Sequence, residues 1–311
     1  MSWIKKHLLQ IQDLTCEEIE TILDIADSFK EVSTRAVKKV PTLRGKTVVN
    51  LFFEPSTRTR VSFELAEKRL SADTINIVGS SSSTVKGETL IDTVKNIKAL
   101  HADVVVIRHS LAGAAQHVAG AVDVSVVNAG DGAHAHPTQA LLDAYTIRQH
   151  KKSFKNLRVT IVGDIAHSRV ARSNIWALTK LGAKVSVVGP ATMIPKEIEN
   201  MGVDVCYDLK EGVANADVVL MLRIQRERQN KNYFPSLREY AKLYGLRRDS
   251  LTWMKKDALI MHPGPVNLGV ELSEEVAHCK QSLILDQVTN GVAVRMAVLY
   301  LVGSVQKETD T

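Results

Sequence analysis

An α/β fold of two domains, each a largely parallel β-sheet flanked by helices, is what this 311-residue sequence predicts. Three observations carry that expectation. Short apolar runs recur along the chain and alternate with helical patterns, which is the signature of βαβ units. Most of those runs are continuously apolar rather than alternating, as in strands covered on both faces. The length also suits two hydrophobic cores better than one.

The elements follow in order. Thr15-Cys16-Glu17-Glu18 has the form of a capping box, and Ile19, Ile22, Leu23, Ala26 and Phe29 keep helical spacing, so a helix is expected over 15–30. After Pro41 and Gly45, the run 47–53 predicts a buried strand. Further strands are expected at 103–107, 124–127, 158–162, 184–188, 217–222, 258–261 and 283–286, with helices at 138–149, 169–181 and 291–302. The polar stretch 149–153 marks a domain junction. The expected organisation is a first domain over 1–150, a second over 151–287, and a C-terminal helix in 288–311 that packs back on the first.

Composition narrows the function classes. Hydrophobic residues make up 45 % and charged residues 24 %, the balance of a globular protein. The formal net charge is +6, but its lysines and arginines are scattered and only 5 % of residues are aromatic. That pattern suits an enzyme attracting anionic metabolites better than a nucleic-acid binder, which needs basic stripes and stacking platforms. Cys16, Cys206 and Cys279 fall in no disulfide or metal-ligand spacing. No run approaches the ~20 apolar residues of a membrane span. A cytoplasmic protein with no metal, no cofactor, no membrane and no nucleic-acid partner is expected.

The sharpest local signal is Phe52-Phe53-Glu54-Pro55-Ser56-Thr57-Arg58-Thr59-Arg60. A buried strand ends, a proline turns the chain, and hydroxyls and guanidiniums crowd a helix start, where unpaired N–H groups favour an anion. An ordinary Ser/Thr N-cap with two solvated arginines is the plainer reading, and the segment lacks the form of a nucleotide loop. The second signal runs from Asn128 to Gln139 between a strand and a helix, with Gly130, Gly132, His134, His136 and Pro137 in it. The two histidines have no convincing metal-ligating partner at their spacing. Arg108, Arg223 and the loop His262-Pro263-Gly264-Pro265 each end a strand; taken singly, the two arginines read more simply as solvated strand ends, and the loop can be only a turn. Gly163-Asp164-Ile165-Ala166-His167-Ser168-Arg169 starts like a dinucleotide site but lacks its later glycines, so Arg169 reads as an anchor for a carboxylate. No G-x-S-x-G elbow appears. Strand ends rich in Arg, His, Thr and Gln make an inventory for a small multiply anionic ligand and a developing oxyanion.

Together these segments resemble the transcarbamylase family over nearly the whole chain. Residues 52–60 are similar to its carbamoyl phosphate motif, and His136-Pro137-Thr138-Gln139 to its second signature. Lys86, within Ser82-Ser83-Thr84-Val85-Lys86-Gly87-Glu88, resembles the lysine loop of the members that use aspartate, and Arg223-Ile224-Gln225 their R-x-Q element. Members that use ornithine carry a cysteine in the loop that here reads His262-Pro263-Gly264-Pro265.

The resemblance implies that Ser56, Thr57, Arg58 and Thr59 hold phosphate and that Arg108 is shared between phosphate and the carbonyl oxygen. It implies that His136 and Thr59 donate to that oxygen and that Gln139 binds the carbamoyl amide. Arg169, Arg223 and Gln225 are implied to hold aspartate, with Pro263, Gly264 and Pro265 presenting the loop that faces the reacting groups. Ser82 and Lys86 are implied to come from a neighbouring subunit, which makes a homotrimer with shared sites the smallest active unit. Arg58, Thr59, Lys86, Arg108 and His136 are the implied catalytic residues. Carbamoyl phosphate and L-aspartate are the implied substrates, and further assembly with regulatory chains or dihydroorotase stays open. So do two rivals: transfer to another amine such as ornithine, and a non-catalytic scaffold or regulatory homologue.

Overall fold

The computed structural model describes residues 3–79, 88–225 and 233–305. Ser82 and Lys86, the serine-rich stretch around them, and the Arg226–Arg228 cluster lie outside the described residues. In chain order the elements are α1 (Cys16–Val32), β1 (Thr47–Phe52), α2 (Thr57–Arg69), β2 (Asp73–Val78), α3 (Leu90–Ala99), β3 (Val104–His109), α4 (Ala114–Ala121), β4 (Ser125–Asp131) and α5 (Pro137–Lys151). There follow β5 (Arg158–Val162), α6 (Arg169–Lys180), β6 (Lys184–Val188), β7 (Val203–Cys206), α7 (Leu209–Val213), β8 (Val218–Met221), α8 (Leu237–Tyr244), β9 (Leu259–Met261), α9 (Glu274–Ala277) and α10 (Ile284–Ser304). Short 3-10 turns complete the connections.

The chain divides into two compact units. One comprises the residues up to Leu141 together with the chain from Asn290 onward, and the other runs from Leu142 to Thr289, so the division falls within α5 and α10.

The first unit is built on a parallel sheet of order β2-β1-β3-β4. Strands β1, β3 and β4 are almost continuously buried, and α3 and α4 close one face through Val94, Ile97, Ala115 and Val118 packed on Val49, Leu51, Val105 and Ile107. The capping box on α1 forms as its sequence dictates: Thr15 accepts from the Glu18 N–H, and the Glu18 carboxylate accepts from the Thr15 N–H. The chain before α1 lies beside β4, with the Leu8 N–H donating to Val126 O and Leu8 O accepting from the Asn128 N–H, which pairs an otherwise open edge. From α10, Arg295 donates to Ser62 Oγ on α2 at 2.8 Å, and its guanidinium stands over the Phe63 ring at 5.1 Å.

The second unit holds a five-stranded parallel sheet of order β7-β6-β5-β8-β9. Val162, Val188, Val219, Met221 and Ile260 from its strands share a core with Leu209, Val213, Leu246, Leu272 and Val276.

The strand expected at 283–286 does not form. Leu283 N–H donates to Ile260 O at 2.8 Å and Ser282 makes one bridge beside β9, and the chain then enters α10 at Ile284. A four-residue apolar run does not distinguish a strand from the first turn of a buried helix, and here the helical continuation prevails. The strand expected to stop at Val127 runs on as β4 to Asp131, carrying Asn128 and Gly130 inside the sheet. Two strands that the pattern did not reveal, β2 and β7, are the outer strands of their sheets, where partly exposed polar positions interrupt the apolar run.

Candidate active site

Both sheets reverse their strand order at one place, and ligands of open α/β sheets bind beyond the carboxyl ends of the strands at such a switch point. In the first unit the switch lies between β1 and β3, and in the second between β5 and β8. The chain segments that leave these four strands are Glu54–Thr59, Arg108, Asp164–Arg169 and Arg223–Gln225. Most of the residues singled out from the sequence therefore sit where topology alone places a ligand.

In the first unit, β1 hands the chain through Pro55 to α2. Ser56 occupies the N-cap position, yet its side chain makes no capping bond, and the first turn of α2 holds no acidic residue. By contrast α1, α3, α8 and α9 all have a side-chain cap and an acid in the first turn. A helix start that gathers Arg58 and Arg60 at the positive end of its own dipole is suited to an external anion. This arrangement removes the plainer N-cap reading for Ser56. Thr59 is buried one turn in.

Arg108 is the penultimate residue of β3, opposite Phe52 of β1. Its guanidinium is oriented by two acceptors, Glu54 Oε1 at 2.8 Å from Nη2 and Ala129 O at 3.1 Å from Nη1. His136 and Gln139 are also buried, and the His136 carbonyl accepts from the N–H groups of Gln139 and Ala140, which starts α5. The loop that brings His136 there is organised by Asp131. That carboxylate, 2 % exposed, accepts from the Gly113 N–H at 2.7 Å, the Asn128 amide at 2.8 Å and the Ala135 N–H at 3.0 Å, and pairs with His134 Nδ1 at 3.0 Å. Gly132 turns with φ +48°, and a Cβ there would lie 2.7 Å from the Ala112 nitrogen, so only glycine fits. His109, beside Phe53 in a tilted ring contact, has its imidazole pKa lowered by burial, against the pull of Glu54 and Asp131.

In the second unit, Arg169 is the first residue of α6, capped by Ser168 Oγ accepting from the Ala171 N–H at 3.1 Å, and is 3 % exposed. Asp164, fully buried, accepts from His167 and, through Oδ2, from the Gln225 N–H at 3.4 Å. Glu271 performs the matching task on the other side. Its Oε1 accepts from the Ile224 N–H at 2.9 Å and the Asn267 amide at 2.7 Å, and its Oε2 from the Asn267 N–H at 2.8 Å. Burial raises the Glu271 carboxyl pKa, and these donors oppose the rise. One carboxylate thus joins Arg223-Ile224-Gln225 to the loop after Pro263-Gly264-Pro265. That loop begins at His262, whose Nδ1 accepts from the Gly264 N–H at 2.8 Å and whose N–H donates to Gln287. Gln287 and Asn174 both donate to the buried Asp143.

The structure therefore places Ser56, Thr57, Arg58, Thr59, Arg108, His136 and Gln139 at or after the carboxyl ends of β1, β3 and β4, and Arg169, Arg223, Gln225, Pro263, Gly264 and Pro265 after those of β5, β8 and β9. Sequence reasoning missed the carboxylates that hold these loops: Asp131, Asp164 and Glu271. For Asp131 and Asp164 the signal is an acidic residue inside or beside an apolar strand-end run, where burial demands donors; Glu271, in the loop after β9, has no such local mark. Among the described residues no group of three or more His, Cys, Asp or Glu is placed to hold a metal ion.

Comparison with known proteins gives the class. Residues 6–149 match the carbamoyl-P binding domain of aspartate/ornithine carbamoyltransferases, and residues 155–302 match the Asp/Orn binding domain of the same enzymes. The chain belongs to the aspartate/ornithine carbamoyltransferase family. It is 62 % identical over 301 residues to the aspartate carbamoyltransferase catalytic subunit of Syntrophus aciditrophicus, covering 97 % of this chain and 98 % of that one. Among solved structures it is similar to ornithine carbamoyltransferase from Pyrococcus furiosus, with TM-score 0.87 and 31 % identity over 99 % of this chain and 100 % of that one. It is also similar to aspartate transcarbamoylase from Trypanosoma cruzi in complex with carbamoyl phosphate and aspartate, with TM-score 0.86 and 28 % identity over 96 % and 97 % of the two chains.

Proposed function

We propose a division of labour in which the residues of the first unit hold the carbamoyl donor and those of the second hold the amino-acid acceptor. The reaction is transfer of the carbamoyl group from carbamoyl phosphate to the amino group of L-aspartate, giving N-carbamoyl-L-aspartate and phosphate, a step of pyrimidine biosynthesis. The single observation that carries aspartate over ornithine is the 62 % identity, across essentially the full length of both chains, to a catalytic subunit named for aspartate.

In this reading the start of α2, with Ser56, Thr57, Arg58 and Thr59, receives the phosphate group, and Lys86 adds a further positive charge. The neutral amine of aspartate, held by Arg169, Arg223 and Gln225 and faced by the Pro263–Pro265 loop, attacks the carbonyl carbon. Its carbonyl oxygen becomes an oxyanion that takes hydrogen bonds from Thr59, Arg108 and His136, while Gln139 holds the carbamoyl amide. The intermediate collapses, the C–O bond to phosphate breaks, and the departing phosphate accepts the amine proton. Neither a covalent enzyme intermediate nor a dedicated side-chain base enters the scheme. Holding two reactants in line contributes about 7–11 kcal/mol in favourable cases, and each oxyanion donor on the order of 10²–10³ in rate.

A homotrimer in which Ser82 and Lys86 reach a neighbour's site is part of the proposal. It is supported by the apolar side chains that one chain leaves uncovered on α2 and the outer strand β2, Val61 at 51 %, Leu65 at 38 % and Ile75 at 43 % exposure. The three cysteines are free, which supports placement in a reducing cytoplasm. No helix among the described residues is long and apolar enough to cross a membrane.

The experiment is carbamoyl-aspartate formation by the purified chain from carbamoyl phosphate and L-aspartate, with L-ornithine in parallel. Product from aspartate alone is expected. Product from ornithine alone would reassign the acceptor, and product from neither would return the chain to the non-catalytic reading.

A further inference from the structure

We infer that His167 is a positioning residue for the acceptor amino acid, locking Arg169 and the Arg223–Gln225 element into one arrangement through Asp164 and Tyr233. The inference rests on the reading of this half-site as an aspartate site.

Four contacts carry it. His167 Nδ1 lies 2.7 Å from Asp164 Oδ1, and the His167 N–H donates to the same oxygen at 3.3 Å. Asp164 Oδ2 accepts from the Gln225 N–H, 61 residues further along the chain. The His167 ring meets the Tyr233 ring edge-on, with centroids 4.7 Å apart and planes at 64°. Tyr233 is anchored in turn by its carbonyl, which accepts from the Thr192 hydroxyl, while the Ala166 N–H beside His167 donates to Met193 O at 2.8 Å. A histidine three residues after an aspartate is commonly no more than a local turn contact. Here the same imidazole also packs on Tyr233, whose carbonyl is held by Thr192 in the segment after β6, so the turn after β5 is tied to two further stretches of the chain.

The electrostatics give this latch a purpose. Asp164 is a fully buried carboxylate in a half-site that contains Arg169 and Arg223. Held in place by His167 and the Gln225 N–H, it fixes the backbone of the binding loops. Without His167, Asp164 loses a 2.7 Å side-chain partner, and the turn that leads into Arg169 loses the ring that ties it to this carboxylate. Loss of His167 therefore acts on the dicarboxylate and leaves the carbamoyl donor untouched.

The test uses the full chain and two substitutions. His167→Phe keeps a ring against Tyr233 and removes the nitrogen that faces Asp164, whereas His167→Asn keeps an N–H donor near that place. The measurements are KM for aspartate, KM for carbamoyl phosphate, kcat, and calorimetric binding of succinate, a dicarboxylate without the reacting amine. His167→Phe should raise the aspartate KM and the succinate Kd by about tenfold or more, with the carbamoyl phosphate KM held within about twofold, and His167→Asn should recover much of the loss. An unchanged aspartate KM in both variants overturns the inference, as does a parallel rise in both substrates' KM values. If the wild-type chain neither uses aspartate nor binds succinate, the functional reading fails and the inference falls with it. That outcome is separate from a normal wild type with indifferent variants.

Discussion

Arg108 Nη2 donates to Glu54 Oε1 at 2.8 Å, so the guanidinium at the end of β3 is aimed by the carboxylate that follows β1. Both residues lie at the carboxyl ends of the strands that flank the switch point of the first sheet. A lysine at 108 would keep the charge but could not serve Glu54, the Ala129 carbonyl and a substrate oxygen together, because its donors sit on one atom. Arg108→Lys should lower kcat/KM on the order of 10²–10³. Steady-state kinetics with each substrate varied in turn checks this, and a variant within twofold of wild type would remove the fork from the mechanism.

His136 is assigned to the developing oxyanion, so its loss should fall on turnover. His136→Ala should reduce kcat on the order of 10²–10³, with the aspartate KM little changed. Full turnover would contradict the role.

Asp131 holds that histidine's loop by accepting from two backbone N–H groups and one side-chain amide and pairing with His134. An asparagine there turns one acceptor into a donor facing donors. Asp131→Asn should destabilise the protein by about 1–3 kcal/mol and lower kcat through displacement of His136. Denaturant unfolding beside a kcat measurement separates the two effects. Unchanged stability would mean that the loop holds itself.

Glu67, on α2, is a buried carboxyl whose pKa is raised to about 7 by desolvation, against the pull of the nearby Thr74 hydroxyl and a hydrogen bond from the Asn50 amide. The raised value means that the folded chain retains a proton which the unfolded chain has already lost above the ordinary carboxyl value of 4.5. Stability should therefore fall as pH climbs from there to about 7, by up to about 3 kcal/mol, and level off above it. Glu67→Gln should flatten that slope and melt higher than wild type at pH 8. Melting curves from pH 5 to pH 8 decide it, and parallel profiles for the two proteins would refute the assignment.

Shared sites predict complementation. Arg58→Ala and Lys86→Ala chains, each inactive alone, should regain activity when unfolded together and reassembled. Statistical mixing in a trimer places some sites free of both substitutions. No regained activity would make each chain self-contained.

Much of this arrangement was legible in the sequence because the physics is local. The capping box at Thr15 and Glu18, the apolar strands ending in Arg108 and Arg223, and the proline turn into α2 each show in a few adjacent residues. What stayed hidden is non-local. Asp164 and Glu271 take their meaning from donors 61 and 47 residues away in sequence. The edge strands β2 and β7 were masked by their solvent-facing side chains, and the run at 283–286 reads alike as strand or helix start. Carboxylates that brace loops leave no periodic trace, which is why they emerge only from the fold.

Glu271 also constrains how this enzyme could change its acceptor. The same side chain fastens the stretch that carries Arg223 and Gln225 and, through Asn267, the loop that follows Pro263, Gly264 and Pro265. Under the proposed roles of these two stretches, gripping the amino acid and facing its amine are inherited as one block. A lineage drifting toward a cationic acceptor could not retune the first without unseating the second, so the shift would demand concerted replacement of both loops rather than a single favourable substitution.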